Sequence, residues 1–219
     1  MSKTLMDRIE AGREFRSIKL ECRKSEDDKS FIVEGYASTF GEEYKLFSGE
    51  SADYVEVVDR NAFASTDMSD VIFQYDHEGR VFARGSNGTL KVEPDEHGLK
   101  VIADLGGTEE GRKLYEEIKG GYTNKMSFGF SVRGETESWT KQENGRSKYT
   151  RTITDVEKLY DVSAVSLPAN DGTEISARRL RDGANARHEA ERLQQTEKEA
   201  MTVESESRAR KLSLMKLHF

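Results

Sequence analysis

Short runs of β-branched, aromatic and alternating residues recur through residues 16–177, and Gly, Asn and Asp separate them. Such runs are typical of β-strands, because successive side chains of a strand point to opposite faces of a sheet. Many strands at short spacing indicate a sandwich or a barrel. We predict strands at the alternating residues Ile18, Leu20 and Cys22, and at Phe31–Thr39, Tyr54–Val58, Val71–Tyr75, Thr89–Glu93, Leu99–Asp104, Lys125–Arg133, Tyr149–Val156 and Leu159–Leu167.

Two helices interrupt the predicted strands. The longer one follows Thr108, because threonine is a good N-cap residue and two glutamates come directly after it. It ends at Gly120, the first of two consecutive glycines. The second is a short helix that begins at Asn61–Phe63.

Residues 181–219 differ from the rest of the chain in composition. They contain 8 basic and 7 acidic residues, one glycine, and no proline, tyrosine or tryptophan. The whole chain has a formal charge of −7, so the acidic excess belongs to the first 180 residues. Good helix formers with little apolar face predict a charged helical or disordered tail. We therefore divide the chain into a flexible N-terminal segment at 1–15, a β-rich domain at 16–180 and a tail at 181–219.

Several classes of protein are excluded by what the sequence lacks. It has no run of about 18 apolar residues and its first residues are polar, so we expect no membrane partner and no signal peptide. A single cysteine, Cys22, excludes an internal disulfide and fits a reducing cytoplasm. The acidic balance argues against nucleic acid as a partner. Scattered histidines and the absence of a phosphate-binding glycine motif predict no metal and no cofactor.

His77 is the first candidate for catalysis. It follows the apolar run Val71–Tyr75, so its side chain emerges from a rigid strand, as a general base must. The alternative is an ordinary surface histidine between Asp76 and Glu78.

Ser127 is the second candidate, in a segment where large apolar residues alternate with Ser127, Gly129 and Ser131. Small residues on one face of a strand leave room for another backbone, as a peptide substrate requires. The alternatives are a solvent-facing Ser-Gly-Ser edge and a dyad of Ser127 with Lys125. Cys22 is a further possible nucleophile, although its neighbours indicate a plain edge strand.

Asp161 is the third candidate, near the start of the apolar segment Leu159–Ala169. A carboxylate is uncommon in a buried strand unless it is paired. The partner is either a histidine that the carboxylate orients or an arginine in a structural salt bridge.

Six segments together resemble the prohead (head maturation) serine proteases of tailed bacteriophages, which are related in fold to the herpesvirus assemblins. The resemblance covers about residues 16–180. The segments are Glu34–Phe40, Val57–Phe63, Phe73–His77, Asp95–Leu99, Gly121–Phe130 and Leu159–Asn170. The chain departs from the family pattern at Arg60-Asn61, where the family has Pro-Gly, and at Asp161, where the family often has Glu.

The resemblance implies a β-rich α+β fold, namely an assemblin-like closed or partly closed β-barrel with a few surrounding helices, plus the helical tail. It implies a serine endopeptidase in which Ser127 is the nucleophile, His77 the base and Asp161 the residue that orients the histidine. The implied partners are the phage major capsid protein and its scaffolding segment, and the protease also cleaves itself inside the prohead, in the host cytoplasm. Self-association stays open.

Two alternatives remain at the level of function. One is a non-catalytic scaffold or capsid-assembly protein on the same fold. The other is a host-encoded β-barrel binding module unrelated to capsids.

Overall fold

The computed structural model describes residues 12–19, 31–166 and 182–202. The chain divides into two units, Met1–Ala177 and Arg178–Phe219, which are considered separately. In the second unit, residues 182–202 form a helix whose side chains are nearly all exposed. The predicted tail outside this range, and predicted strand residues Leu20 and Cys22, lie outside the described residues.

The described part of the first unit contains ten strands and one α-helix, α1, which spans Glu109–Lys119. In chain order the strands are β1 (Glu14–Lys19), β2 (Ile32–Thr39), β3 (Tyr44–Ser48), β4 (Ala52–Val58), β5 (Ile72–Tyr75), β6 (Glu78–Arg84), β7 (Leu90–Pro94), β8 (Gly98–Asp104), β9 (Lys125–Lys141) and β10 (Ser147–Val165).

The long hairpin of β9 and β10 is the centre of a seven-stranded sheet. β1 pairs antiparallel with β9, and β3 pairs antiparallel with β4. β10 has 19 residues, so it accommodates two parallel neighbours in succession: β4 along residues 147–153 and β5 along residues 161–164. β5 continues into its antiparallel partner β6. One strand thereby contacts the β9 strand on one side and the β5–β6 hairpin on the other.

The second sheet is antiparallel, in the order β2-β8-β7. At the start of β8 only a glycine fits, because a Cβ on Gly98 would lie 1.9 Å from the carbonyl oxygen of Ser38. Apolar side chains of both sheets and of α1 form one core. In α1 the Thr108 side chain accepts a hydrogen bond from the Gly111 N–H, as an N-cap does, and Leu114, Tyr115 and Ile118 are buried.

The β-rich α+β class and the helix after Thr108 agree with the sequence prediction. The barrel does not: in the described part of the chain the two sheets stay open, and neither closes on itself. The predicted short helix at Asn61–Phe63 is also wrong. Residues 60–65 form hydrogen-bonded turns, such as the one in which the Ala62 N–H donates to the Asp59 carbonyl.

Strand boundaries show three further differences. The sequence did not predict β3, which is half-buried to exposed, or β6, which is largely exposed. The two strands predicted at Tyr149–Val156 and Leu159–Leu167 are a single strand, β10, with irregular pairing between residues 153 and 161. β1 begins at Glu14, inside the N-terminal segment predicted to be flexible.

Within the described ranges no helix combines the length and the apolar character needed to span a membrane.

Candidate active site

Three different elements bring the predicted site residues together. His77 lies in the turn between β5 and β6, Ser127 lies in β9, and Asp161 lies in β10. β10 pairs with both β9 and β5. The strand that carries Asp161 therefore lies between β9, which carries Ser127, and β5, which leads into the turn that carries His77. The side chains meet although 50 and 84 residues separate His77 from Ser127 and Asp161.

The imidazole of His77 connects the other two side chains. Its Nε2 lies 2.6 Å from Ser127 Oγ, and its Nδ1 forms a short hydrogen bond with Asp161 Oδ1. An ionised carboxylate only accepts hydrogen bonds, so the Nδ1–H of His77 is the donor to Asp161. Nε2 is then the unprotonated ring nitrogen and accepts a hydrogen bond from the Ser127 hydroxyl. This tautomer is the one that a general base needs.

All three side chains are buried: relative exposure is 0% for Ser127, 3% for His77 and 2% for Asp161. Burial strengthens these polar contacts because water does not compete for them. It also means that a peptide reaches Ser127 only when an element covering the site moves.

The turn that holds His77 has an unusual backbone. Tyr75 pairs with Glu78, so Asp76 and His77 are the two residues of a tight hairpin turn. Their φ angles are +48° and +59°, the left-handed region that such turns require and that Asn-Gly usually supplies. Each residue in this region costs on the order of 1–3 kcal/mol, and such strain is concentrated at functional sites.

Three neighbours support the site. The sequence analysis gave Ser163 and Phe15 no role, and it expected the small face at Gly129 to leave room for a peptide, a space that Asp161 and Phe15 occupy instead. The Ser163 hydroxyl donates to Asp161 Oδ1 at 3.0 Å. The ring of Phe15 in β1 lies edge-on against the His77 ring, with the centroids 4.5 Å apart. Gly129 leaves the space that the Asp161 carboxylate occupies. Strand periodicity puts Asp161 and Ser163 on one face, so a signal for Ser163 was present in the sequence.

The structure also bears on the alternative partners of Asp161 and Ser127 and on the alternative nucleophile Cys22. Asp161 pairs with His77, the first of the two kinds of partner that the sequence left open, and no arginine partner is seen within residues 12–19, 31–166 and 182–202. The Ser127 hydroxyl is hydrogen-bonded to His77, whereas the dyad alternative required Lys125. Cys22 lies outside the described residues. Among the described residues there is no group of three or more potential ligands that suits a metal ion.

A buried ionic cluster lies in the same sheet and joins β1 to β4, β9 and β10. Glu56 is fully buried and accepts hydrogen bonds from Arg16 (2.5 and 2.6 Å) and Arg151 (2.8 Å). Arg151 also donates to Glu14 and Glu135. Burial lowers the pKa of Arg16 and Arg151, but the carboxylates outweigh it, so both values lie above the ordinary one. The cluster anchors β1, the strand that carries Phe15.

Serine, histidine and aspartate joined in this order are the arrangement that serine proteases use on several unrelated folds. The family model described as caudovirus prohead serine protease matches residues 18–188. The chain belongs to this family and is a serine protease of the kind that acts in phage capsid maturation.

A search of solved structures gives the capsid assembly protease of bacteriophage T4, at 9% sequence identity and a TM-score of 0.33, over 70% of this chain and 98% of that chain. No curated protein sequence matches the chain.

Proposed function

We propose that Ser127, His77 and Asp161 are the catalytic triad of this protease. The observation that carries the proposal is the position of the His77 imidazole, with Nε2 2.6 Å from Ser127 Oγ and Nδ1 bonded to Asp161. A serine hydroxyl is a weak nucleophile without an adjacent base, and here the base is in contact and held in the correct tautomer.

In the proposed reaction Ser127 Oγ attacks the carbonyl carbon of the scissile peptide bond while His77 Nε2 takes the hydroxyl proton. His77 then donates this proton to the leaving amine, and an acyl-enzyme on Ser127 remains. A water molecule, deprotonated by His77, hydrolyses the acyl-enzyme. Asp161 keeps the imidazole oriented and stabilises its positive charge. Backbone N–H groups supply the oxyanion hole.

The proposed substrates are the phage major capsid protein with its scaffolding segment and the protease itself, inside the prohead in the host cytoplasm. Membership of the prohead protease family supports this choice. Residues 181–219 are the proposed targeting segment, because the described part, 182–202, is a helix whose side chains are nearly all exposed to a capsid or scaffold partner.

Complete burial of Ser127 adds a step to this proposal. Catalysis begins only after a local opening that admits the peptide backbone. Such openings occur in the less stable parts of a structure. An assembled but covered triad limits cleavage until the protease meets its substrate.

Co-expression with the major capsid protein tests the proposal. We expect a shortened capsid band with the native chain and none with Ser127→Ala. Ser131→Ala is the matched control, because Ser131 lies on the same strand but its hydroxyl bonds to Glu157 instead of His77. Equal cleavage by the Ser127→Ala chain rejects Ser127 as the nucleophile. Absence of cleavage by the native chain favours the non-catalytic assembly protein.

A further inference from the structure

Asp76, the residue before His77, makes three hydrogen bonds that join the turn to the end of β10. Its backbone N–H donates to the Ala164 carbonyl at 2.9 Å. Both oxygens of its carboxylate accept hydrogen bonds from Ser166. Oδ1 accepts from the Ser166 backbone N–H and Oδ2 accepts from the Ser166 hydroxyl, both at 2.9 Å. These contacts hold the turn against the end of β10.

The contacts of Asp76 extend the pairing of β5 with β10. Tyr75 and Ala164 are the last pair of that register, and Asp76 continues it beyond the end of β5. Asp161 lies on the same strand, three residues before Ala164. One strand therefore fixes the acid directly and, through Asp76, fixes the backbone from which the His77 side chain projects.

His77 depends on this support because its own backbone is in an unfavourable region. A φ of +59° is uncommon for a residue other than glycine, and the following residues, Glu78 and Gly79, are exposed. Without the contacts of Asp76, relaxation of the turn moves the imidazole relative to Ser127. A displacement of about 1 Å takes their 2.6 Å contact out of hydrogen-bond range.

We propose that Asp76 is a positioning residue, which holds His77 within reach of Ser127 by clamping the turn onto Ser166. The proposal rests on the proposed role of His77 as the general base. Asp76 touches none of the reacting atoms in this scheme and acts through the conformation of the turn.

Two substitutions of Asp76 distinguish the effect of losing the hydrogen bonds to Ser166 from the effect of relieving backbone strain in the turn. Asn tolerates a positive φ, keeps an oxygen that accepts the Ser166 N–H, and can donate its amide to the Ser166 hydroxyl. Gly also tolerates a positive φ but has no acceptor. Asp76→Gly thus relieves strain and removes the clamp, whereas Asp76→Asn conserves both the turn and the clamp.

The experiment uses the full chain and two measurements. The first is the rate at which a fluorophosphonate, a small electrophile that bonds to an activated serine oxygen with loss of fluoride, labels the protein. The second is the proton NMR resonance of the His77 Nδ1–H, which lies far downfield while the bond to Asp161 exists. The matched control is Asp95→Gly, since Asp95 also accepts backbone N–H groups in a hairpin turn, those of His97 and Gly98.

We expect Asp76→Gly to be labelled at least about tenfold more slowly and to lose the downfield resonance, because a misplaced base costs rate steeply. Asp76→Asn restores both to within about threefold of the native chain, and Asp95→Gly leaves both unchanged. Native labelling and a native resonance in Asp76→Gly overturn the proposal.

A second variant decides the question if Asp76→Gly does not fold. Ser166→Ala removes one exposed hydroxyl from the clamp, and we expect slower labelling and a weakened resonance; an unchanged resonance and rate overturn the proposal. Labelling of the Ser127→Ala chain at the native rate instead refutes the proposed nucleophile, while the Nδ1–H resonance still reports on Asp76 independently.

Discussion

Gly129 lies directly opposite Asp161 in the β9–β10 pair, and the carboxylate of Asp161 fills the space that a side chain at Gly129 would need. A Cβ on Gly129 would lie 2.6 Å from Asp161 Oδ2 and 2.8 Å from Cε1 of Phe15. The Phe15 ring in turn contacts His77. The glycine two residues after Ser127 therefore leaves room for the two groups that hold the imidazole.

Gly129→Ala is expected to lower kcat for capsid cleavage by about 10²-fold, because the new methyl group displaces Asp161 or Phe15 by a fraction of an ångström or more. Gly134→Ala, on the same strand, is the control: its Cβ would lie 3.1 Å from Thr154 Oγ1 and 3.2 Å from Asp155 Cβ, and it would touch neither Asp161 nor Phe15 at under 3 Å. Equal activity of the two variants means that the site tolerates the displacement.

Asp161→Asn is expected to reduce kcat by about 10³- to 10⁴-fold while thermal unfolding changes little. The asparagine amide presents a donor to His77 Nδ1 and favours the wrong tautomer. Asp155→Asn, which changes a half-buried carboxylate of the same strand that pairs with Arg133, serves for comparison. Full activity of Asp161→Asn assigns the orienting role to another residue.

Arg151→Met is expected to lower the free energy of unfolding by about 3–5 kcal/mol, because it leaves buried carboxylates without one of their partners. Lys148→Met, in the same strand, removes an exposed pair with Glu43 and costs less than about 1 kcal/mol. Urea unfolding measures both. Similar small losses in the two variants mean that Arg16 alone satisfies Glu56.

The stability that the buried ionic cluster contributes depends on pH through the carboxyl group of Glu14. Burial raises the pKa of its carboxyl, but Arg16 and Arg151 outweigh burial, so the pKa lies below the ordinary value of 4.5. A lowered pKa contributes stability that is fully present above the ordinary value and is lost as the pH falls through the folded value. We expect the native chain to be more stable than Glu14→Gln at neutral pH, with the difference shrinking below pH 4.5. If the stability difference between the native chain and Glu14→Gln stays constant down to the pH at which Glu14 is fully protonated, the lowered pKa of Glu14 is contradicted.

A chain that ends at Leu180 tests the tail. We expect it to fold and to be absent from proheads, because the exposed helix at 182–202 is removed. Western blotting of purified proheads measures its incorporation. Normal incorporation rules out the tail as the targeting segment.

Much of the site was predictable because strand periodicity survives in the sequence. Alternation in β9 puts Ser127 on one face and the large apolar residues on the other, and the apolar segment around Asp161 is a strand. The two faces were expected to differ in exposure, yet both are buried from Met126 to Phe130. On the face of Ser127 and Gly129, His77 from the turn between β5 and β6 contacts Ser127, and Phe15 of β1 lies beside Gly129. Both contacts come from elements distant in sequence, so local pattern could not reveal them.

The turn that carries His77 was not predictable for a related reason. Its residues, Asp76 and His77, are not the Asn-Gly pair that indicates a left-handed turn, and tertiary contacts hold them there. β6 is nearly all exposed, so it shows no alternation of apolar and polar residues. The open sheets likewise depend on the long-range pairing of β10 with β4 and β5, which leaves no periodic signal.

β1 connects His77 and the ionic cluster through the neighbouring residues Phe15 and Arg16. Phe15 contacts the imidazole, while Arg16 neutralises the fully buried Glu56. A cut before Gly12 leaves both contacts in place, whereas a cut after Arg16 removes both at once. Under the proposed self-cleavage, processing from the N-terminal end is therefore self-limiting, because trimming past β1 removes the support of His77 and inactivates the protease.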